Sequence, residues 1–195
     1  MSVAARGRCI GLTGRMGSGK GEVARLLERR GFRYASLSDI VRAEAARNGG
    51  GTRRDDMQDI GNRLRAEGGA GVLARRVREA IEADPWPRWV IDGIRNPAEV
   101  LELRQMESFR LVAVACALET ILERMRRRGR ATDAVSEAEL RVALEREWGR
   151  GEPAGGQQVG PTMAMADFTI DNNGALAGLE SRVDEVLAAL GAGHE

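Results

Sequence analysis

The sequence predicts a three-layer α/β/α protein, a five-stranded parallel sheet covered by helices on both faces. Three observations predict it. Short strand-like apolar runs alternate with longer helical stretches along the whole chain, and no internal repeat interrupts them. One run, Leu111 to Leu118, is continuously apolar, as a strand buried on both faces of a parallel sheet must be. Aromatic residues make up only 4% of the chain, so the core must be aliphatic and Ala-rich, which suits helices on a Val/Ile/Leu sheet better than a β-sandwich. With 195 residues the chain is read as one domain, 1–195, large enough for a core of its own.

The elements follow in order. Arg8 to Thr13 is the first strand, and a glycine-rich loop leads into a helix from about Gly19 to Arg30, stopped by Gly31. Phe32 to Ser36 is the second strand. Helices fill Asp39 to Arg47 and, past Asn48-Gly49-Gly50-Gly51, most of Arg53 to Ala83, until Asp84-Pro85-Trp86-Pro87. Arg88 to Asp92 is the third strand. The next helix opens near Pro97, because Pro is well tolerated in a first turn. Phe109 to Leu118 is the fourth strand, followed by a helix from Glu119 to Arg128. Ser136-Glu137-Ala138-Glu139 has the spacing of a capping box and starts a helix running to Trp148. Gly149 to Pro161, rich in Gly, Pro and Gln, reads as a mobile loop. Asp167 to Asp171 is the fifth strand, and Ala175 to Leu190 the last helix.

Charge and composition exclude several classes. The net charge is +1, so no global field draws the protein to nucleic acid or to a membrane surface, and an anion site must be a local cluster. No apolar run approaches membrane-span length. Met1 to Arg8 carries arginines without the apolar stretch of a signal peptide behind them, so a cytoplasmic protein is expected. Cys9 and Cys116 both sit in strand-like segments and read as reduced core residues. The single histidine is His194, and no metal-ligand spacing exists.

The strongest motif is Gly14-Arg15-Met16-Gly17-Ser18-Gly19-Lys20, a G-x-x-x-x-G-K pattern between a strand and a helix. Glycines let the backbone fold around a phosphate and aim N–H groups at it, while the following helix N-terminus adds its dipole. Lys20 is the only lysine among 30 basic residues, so it belongs where a compact ammonium is needed and a guanidinium would not serve. One departure matters: the residue after Lys20 is Gly21, then Glu22, so no hydroxyl is placed there to ligate Mg²⁺ directly. Asp92 ends an apolar strand, where a carboxylate that holds the metal, through water, would belong.

Three segments together, the glycine-rich loop, Ser36-Leu37-Ser38-Asp39-Ile40-Val41-Arg42 and Val90-Ile91-Asp92-Gly93-Ile94-Arg95, resemble the signatures of the nucleoside monophosphate kinases of the P-loop NTPase fold. Asp167-Phe168-Thr169-Ile170-Asp171-Asn172-Asn173-Gly174 is similar to the final strand and turn of dephospho-CoA kinases. The resemblance implies ATP as phosphoryl donor, Mg²⁺ near Asp92, and a small nucleotide as partner. It implies Arg42 and Arg95 on the acceptor phosphate, with Ser38 and Asp39 beside them, although Arg95 stands one residue closer to its aspartate than in adenylate kinases. It implies a helical acceptor-binding insertion over about 37–83 and a short lid over about 124–150. Gly14, Met16, Gly17, Ser18, Gly19, Lys20, Gly21 and Glu22 would hold the ATP phosphates, and Arg124 and Asn172 would border the nucleotide.

Arg124 and Arg128 share a helix face. Arg130 and then Arg141 are similar in spacing to the lid arginines of adenylate kinases, which cover the transferring group, and Arg128, Arg130 and Arg141 are the candidate catalytic arginines. Arg126 and Arg127 read as solvated. Asp55, Asp59 and Asn62 form one polar stripe at helical spacing, either a base- or ribose-reading edge or an exposed face, and Asn62 and Arg63 are the candidate acceptor contacts. The expected activity is transfer of the γ-phosphate of ATP to a nucleoside or deoxynucleoside monophosphate, by a monomer or homodimer. Two alternatives stay open. One is transfer to a sugar hydroxyl, as in dephospho-CoA kinases, which needs a base; the aspartate pair those enzymes carry after strand two is reduced here to Asp39. The other is an idle nucleotide-binding module, which Gly21 supports. A regulatory GTPase is excluded, since its Asn-Lys-x-Asp motif requires a second lysine.

Overall fold

The computed structural model describes residues 8–47, 54–128 and 136–192. Five strands, β1 (Arg8–Thr13), β2 (Arg33–Ser36), β3 (Arg88–Asp92), β4 (Phe109–Ala115) and β5 (Phe168–Asp171), form one sheet in the order β2-β3-β1-β4-β5. Every pairing is parallel, with Gly11 of β1 opposite Ile91 on one side and Leu111 on the other. The helices are α1 (Lys20–Arg29), α2 (Leu37–Arg47), α3 (Arg54–Gly68), α4 (Val72–Glu82), α5 (Pro97–Leu103), α6 (Leu118–Arg128), α7 (Glu137–Trp148), α8 (Val159–Met163) and α9 (Leu176–Ala192). This is the architecture the alternating pattern predicts.

Strand alternation splits the core. Ile10, Leu12, Val90, Val112 and Val114 face one side, where Val23, Leu26 and Leu27 of α1 and Leu179 and Val183 of α9 cover them. Cys9, Ile91 and Leu111 face the other, under α2 to α5. A third cluster joins Ile121, Leu122 and Met125 of α6 to Leu140 and Leu144 of α7 and reaches Met16 in the glycine-rich loop. Both cysteines are free, and burial pushes the Cys9 thiol up to about 12, so it behaves as a core hydrophobe.

Most boundaries shift by a residue or two, and four places show why. β4 stops at Ala115, because its partner β5 ends at the paired Asp171, and Leu118 instead opens α6. α2 begins at Leu37, two residues early, with Ser36 Oγ accepting the Ser38 N–H. The Arg53–Ala83 stretch is broken between α3 and α4, where Gly69 takes a left-handed conformation (φ 89°) that ends one helix before the next begins. The segment expected to be a mobile loop, Gly149 to Pro161, is instead packed. Gln157 and Val159 are buried, Asn96 Nδ2 donates to Ala154 O and Gly156 O, and Gln158 N donates to Arg95 O. No helix among the described residues is long and apolar enough to cross a membrane.

Candidate active site

β1 and β3 are neighbours, yet the chain leaves β1 through α1 and enters β2 on the far side of β3. The carboxyl ends of β1 and β3 therefore open onto a crevice, the place where doubly wound sheets bind ligands. A cavity of about 630 Å³ lies there. It is lined by the glycine-rich loop and start of α1, by Asp92 and Arg95 after β3, by α2 and α3, by Arg124 of α6 and by α7.

The loop is built as a cradle. Lys20 crosses it from below, its ammonium donating to Gly14 O (2.6 Å) and Arg15 O (3.0 Å). Gly17 and Gly19 have φ of 77° and 100°, which L-residues avoid. Gly19 is required twice over, since a Cβ there would stand 2.1 Å from Asn172 Nδ2. That amide donates to Ser18 O (2.8 Å), so the turn after β5 braces the loop. Asn172 is thus placed against the loop backbone rather than in the cavity lining, and Gly14 and Ser18 form the frame beneath it. Ser18 Oγ is buried with no partner among the described residues. Met16, Gly17, Gly19, Lys20, Gly21 and Glu22 line the cavity. Gly21 opens onto empty space. Arg124 also lines it, anchored by donation to Asn172 O (2.8 Å) and Gly174 O (3.1 Å).

Two carboxylates face the cradle, and the sequence reading found one of them. Asp92 Oδ1 accepts the Gly93 N–H (2.6 Å), and the Tyr34 hydroxyl donates to Oδ2 (3.3 Å). The second is Glu147 of α7, only 3% exposed, whose Oε2 accepts the Met16 N–H (2.7 Å) and whose Oε1 lies 3.9 Å from Arg95 Nε. Burial pushes the Lys20 pKa down; Glu147 first, then Asp92, push it back up, and Arg95 lowers it. Glu147 belongs to no motif. The only trace of it in the sequence is its spacing from Leu140 and Leu144, which puts it on the buried face of α7.

Of the residues expected to bind the acceptor, Ser38, Arg42 and Arg95 line the cavity. Asp39 does not: it is exposed and pairs with Arg42 outside the lining. Asn62 and Arg63 are also corrected. Asn62 Nδ2 donates to Glu152 Oε2 (2.9 Å), and Arg63, half exposed, reaches Glu44 and Glu67. The face of α3 that meets the cavity is rotated from the expected stripe and carries Met57, Gln58, Gly61 and Arg65. Asp59 lies outside the lining, paired with Arg146. Arg65 is buried and donates through Nε (3.0 Å) and Nη2 (2.7 Å) to Glu99 Oε1, while Glu99 Oε2 accepts the Arg95 and Asn96 N–H groups.

Arg141 is a further correction. The inward face of α7 carries Leu140, Leu144 and Glu147, so Arg141 points away and pairs with Glu137, whose carboxyl is held below the usual range by Arg141 and then Arg126. The side chain of Arg128 and all of Arg130, both expected over the transferring group, lie outside the described residues, as does Asp55's side chain.

Magnesium fits this site in one manner. No group of three His, Cys, Asp or Glu side chains among the described residues could enclose a metal ion. A cation carried by nucleotide phosphates, keeping most of its waters and leaning on one carboxylate, needs only Asp92.

Comparison with known proteins bears on the family and the fold. The family described as AAA domain matches residues 10–141. A UPF0200 protein of Methanothermobacter thermautotrophicus is 34% identical over 182 residues, 93% of this chain and 90% of its own. A UPF0200 protein of Methanothrix thermoacetophila is 34% identical over 189 residues, 94% and 98% of the two chains. Among solved structures, shikimate kinase from Acinetobacter baumannii superposes with a TM-score of 0.57 at 16% identity, covering 97% of this chain and 96% of its own. A gluconokinase from Sinorhizobium meliloti gives 0.58 at 14%, covering 96% and 98%. At such identities the likeness speaks for the fold, a P-loop kinase-like one. The chain belongs to the UPF0200 family, and over residues 10–141 to the family described as AAA domain.

Proposed function

We propose that this protein transfers the γ-phosphate of ATP to a nucleoside or deoxynucleoside monophosphate. One observation carries the reading. A single cavity joins a phosphate cradle with its buried lysine to two guanidinium groups, Arg95 after β3 and Arg42 on α2, with Asp92 among its lining residues. Two anion sites sharing one crevice suit a donor triphosphate and an acceptor phosphate.

An acceptor phosphate is already ionised and needs no general base. Rate enhancement then comes from alignment and from positive charge held where the transition state spreads its negative charge. Loop N–H groups and Lys20 hold the β and γ oxygens. Arg124, fixed by two carbonyls, lies along the nucleotide, and Arg42 and Arg95 fix the acceptor. Bound magnesium near Asp92 supplies further neutralisation of the phosphate oxygens.

The test is acceptor-dependent ADP formation from ATP and Mg²⁺ with a panel of ribo- and deoxynucleoside monophosphates plus dephospho-CoA. Formation of a nucleoside diphosphate supports the proposal; ADP that appears only with dephospho-CoA sinks it. That second reading, transfer to a sugar hydroxyl, has one observation in its favour. Asp39 stands outside the cavity, but Glu147 lines it as a buried carboxylate, and a hydroxyl acceptor would need such a base.

A further inference from the structure

Glu147 touches both halves of the cavity at once. Its Oε2 accepts the Met16 N–H of the glycine-rich loop (2.7 Å), and its Oε1 lies 3.9 Å from Nε of Arg95, the guanidinium proposed for the acceptor. That Nε is buried without a hydrogen-bond partner among the described residues, so its tie to Glu147 is a charge contact rather than a hydrogen bond. Glu147 sits in the last turn of α7, where the helix dipole disfavours a carboxylate, and its side chain is 4% exposed. A buried carboxylate in such a place needs positive groups around it. Lys20 is one of them: Glu147 raises its pKa more than Asp92 does. The lysine of a glycine-rich phosphate loop serves the β and γ oxygens of a nucleoside triphosphate. A loop N–H, that lysine and an arginine on the acceptor side are thus the groups a phosphoryl group would meet in passing from donor to acceptor, and Glu147 engages all three. The next residue, Trp148, ties the same end of α7 to the loop by carrying Arg15 over its ring.

We propose that Glu147 is a built-in rival of the γ-phosphate, a fixed negative charge that makes the cradle hold a nucleoside diphosphate at least as well as the triphosphate. A γ-phosphate brings further negative charge to the groups that Glu147 already engages, whereas a diphosphate ends one phosphate short. Like charges brought together in a binding site oppose association, and a buried pair is poorly screened by salt. The inference rests on the donor half of the proposed function, ATP in the cradle, and adds the residue that sets the choice between tri- and diphosphate.

The experiment compares ATP with ADP by calorimetry at neutral pH in EDTA, in the wild type and in Glu147→Gln, which keeps an oxygen for the Met16 N–H and loses the charge. Leaving out magnesium keeps the full phosphate charge in play. The wild type should bind ADP at least as tightly as ATP. In the variant, ATP should gain about tenfold or more over ADP. A wild type that prefers ATP by about tenfold or more overturns the inference, and needs no variant. So does a folded Glu147→Gln protein whose ATP-to-ADP ratio is unchanged. ATP bound by the variant alone supports the inference. A shifted ratio without ADP formation from ATP and any nucleoside monophosphate leaves the inference standing and overturns the proposed reaction, whereas that reaction with an unshifted ratio does the reverse. Failure of both nucleotides to bind either protein overturns both.

Discussion

Lys20 and Glu147 form the electrostatic centre of the site. Lys20→Met should lower transfer by about 10²–10³-fold or more, the scale of removing one preorganised charge donor. Its thermal unfolding midpoint should change little, because relief from a desolvated ammonium is offset by the Glu147 charge and the two loop carbonyls left without it. Calorimetry beside the coupled assay checks both. Glu147→Gln keeps an oxygen for the Met16 N–H but removes the charge that most raises the Lys20 pKa. Activity that needs the ammonium is lost as pH rises through that pKa. The alkaline limb of the pH–rate profile should therefore move to lower pH in the variant; an unmoved limb would separate Glu147 from Lys20. Lys20 and Asp92 stand out in the sequence by their place beside a glycine turn and at a strand end, Arg42 and Arg95 through the resemblance to nucleoside monophosphate kinases, and all four line the cavity. Glu147 does not stand out, since nothing local marks a helical glutamate as buried. The polar stripe of α3, phased on its acidic residues, points to Asn62, whereas the cavity side is marked by Gly61, where a Cβ would stand 3.2 Å from Arg65 Nη1.

Among elements, the join between α3 and α5 rests on a buried ion pair, Arg65 with Glu99. Glu99 has a fully buried side chain and serves four donors, two from Arg65 and the backbone N–H groups of Arg95 and Asn96. Glu99→Ala would strand the Arg65 guanidinium and remove half of the α5 capping box. The expected loss is about 3–5 kcal/mol, read from urea unfolding. The Ser136–Glu139 capping box of α7 appears as the sequence spacing predicts, with Ser136 Oγ accepting the Glu139 N–H and Glu139 accepting the Ser136 N–H. Caps are legible because they are local. The packed course of Gly149 to Pro161 was not, because its partners, Asn96 and Arg95, lie some 60 positions away. Composition alone makes a Gly- and Pro-rich stretch look loose, and long-range hydrogen bonds decide otherwise.

Across the whole molecule, the phosphate loop is held from two sides. Arg15 stacks over the Trp148 ring at 4.2 Å, and Gly160 of α8 lets that ring approach closely enough that a Cβ there would be 2.6 Å away. Trp86 and Trp89, by contrast, flank the start of β3, at the opposite end of the sheet from the cradle. Nucleotide binding in the loop should therefore change tryptophan emission through Trp148. The change should vanish in Trp148→Phe, and a signal that survives this substitution would show that α7 does not sense the loop. The sheet order was legible only as a class, since an alternating βα pattern predicts parallel pairing without saying which strand lies beside which.

The second support has a consequence for how the protein comes into being. Asn172 secures the Ser18 carbonyl across 154 positions of chain, and Arg124 is fastened to the same turn. During translation the glycine-rich segment leaves the ribosome well before its clasp, which is made 154 positions further along the chain. Ribosome-bound nascent chains halted before that turn should be unable to retain ATP, and those extended past it should acquire the capacity abruptly.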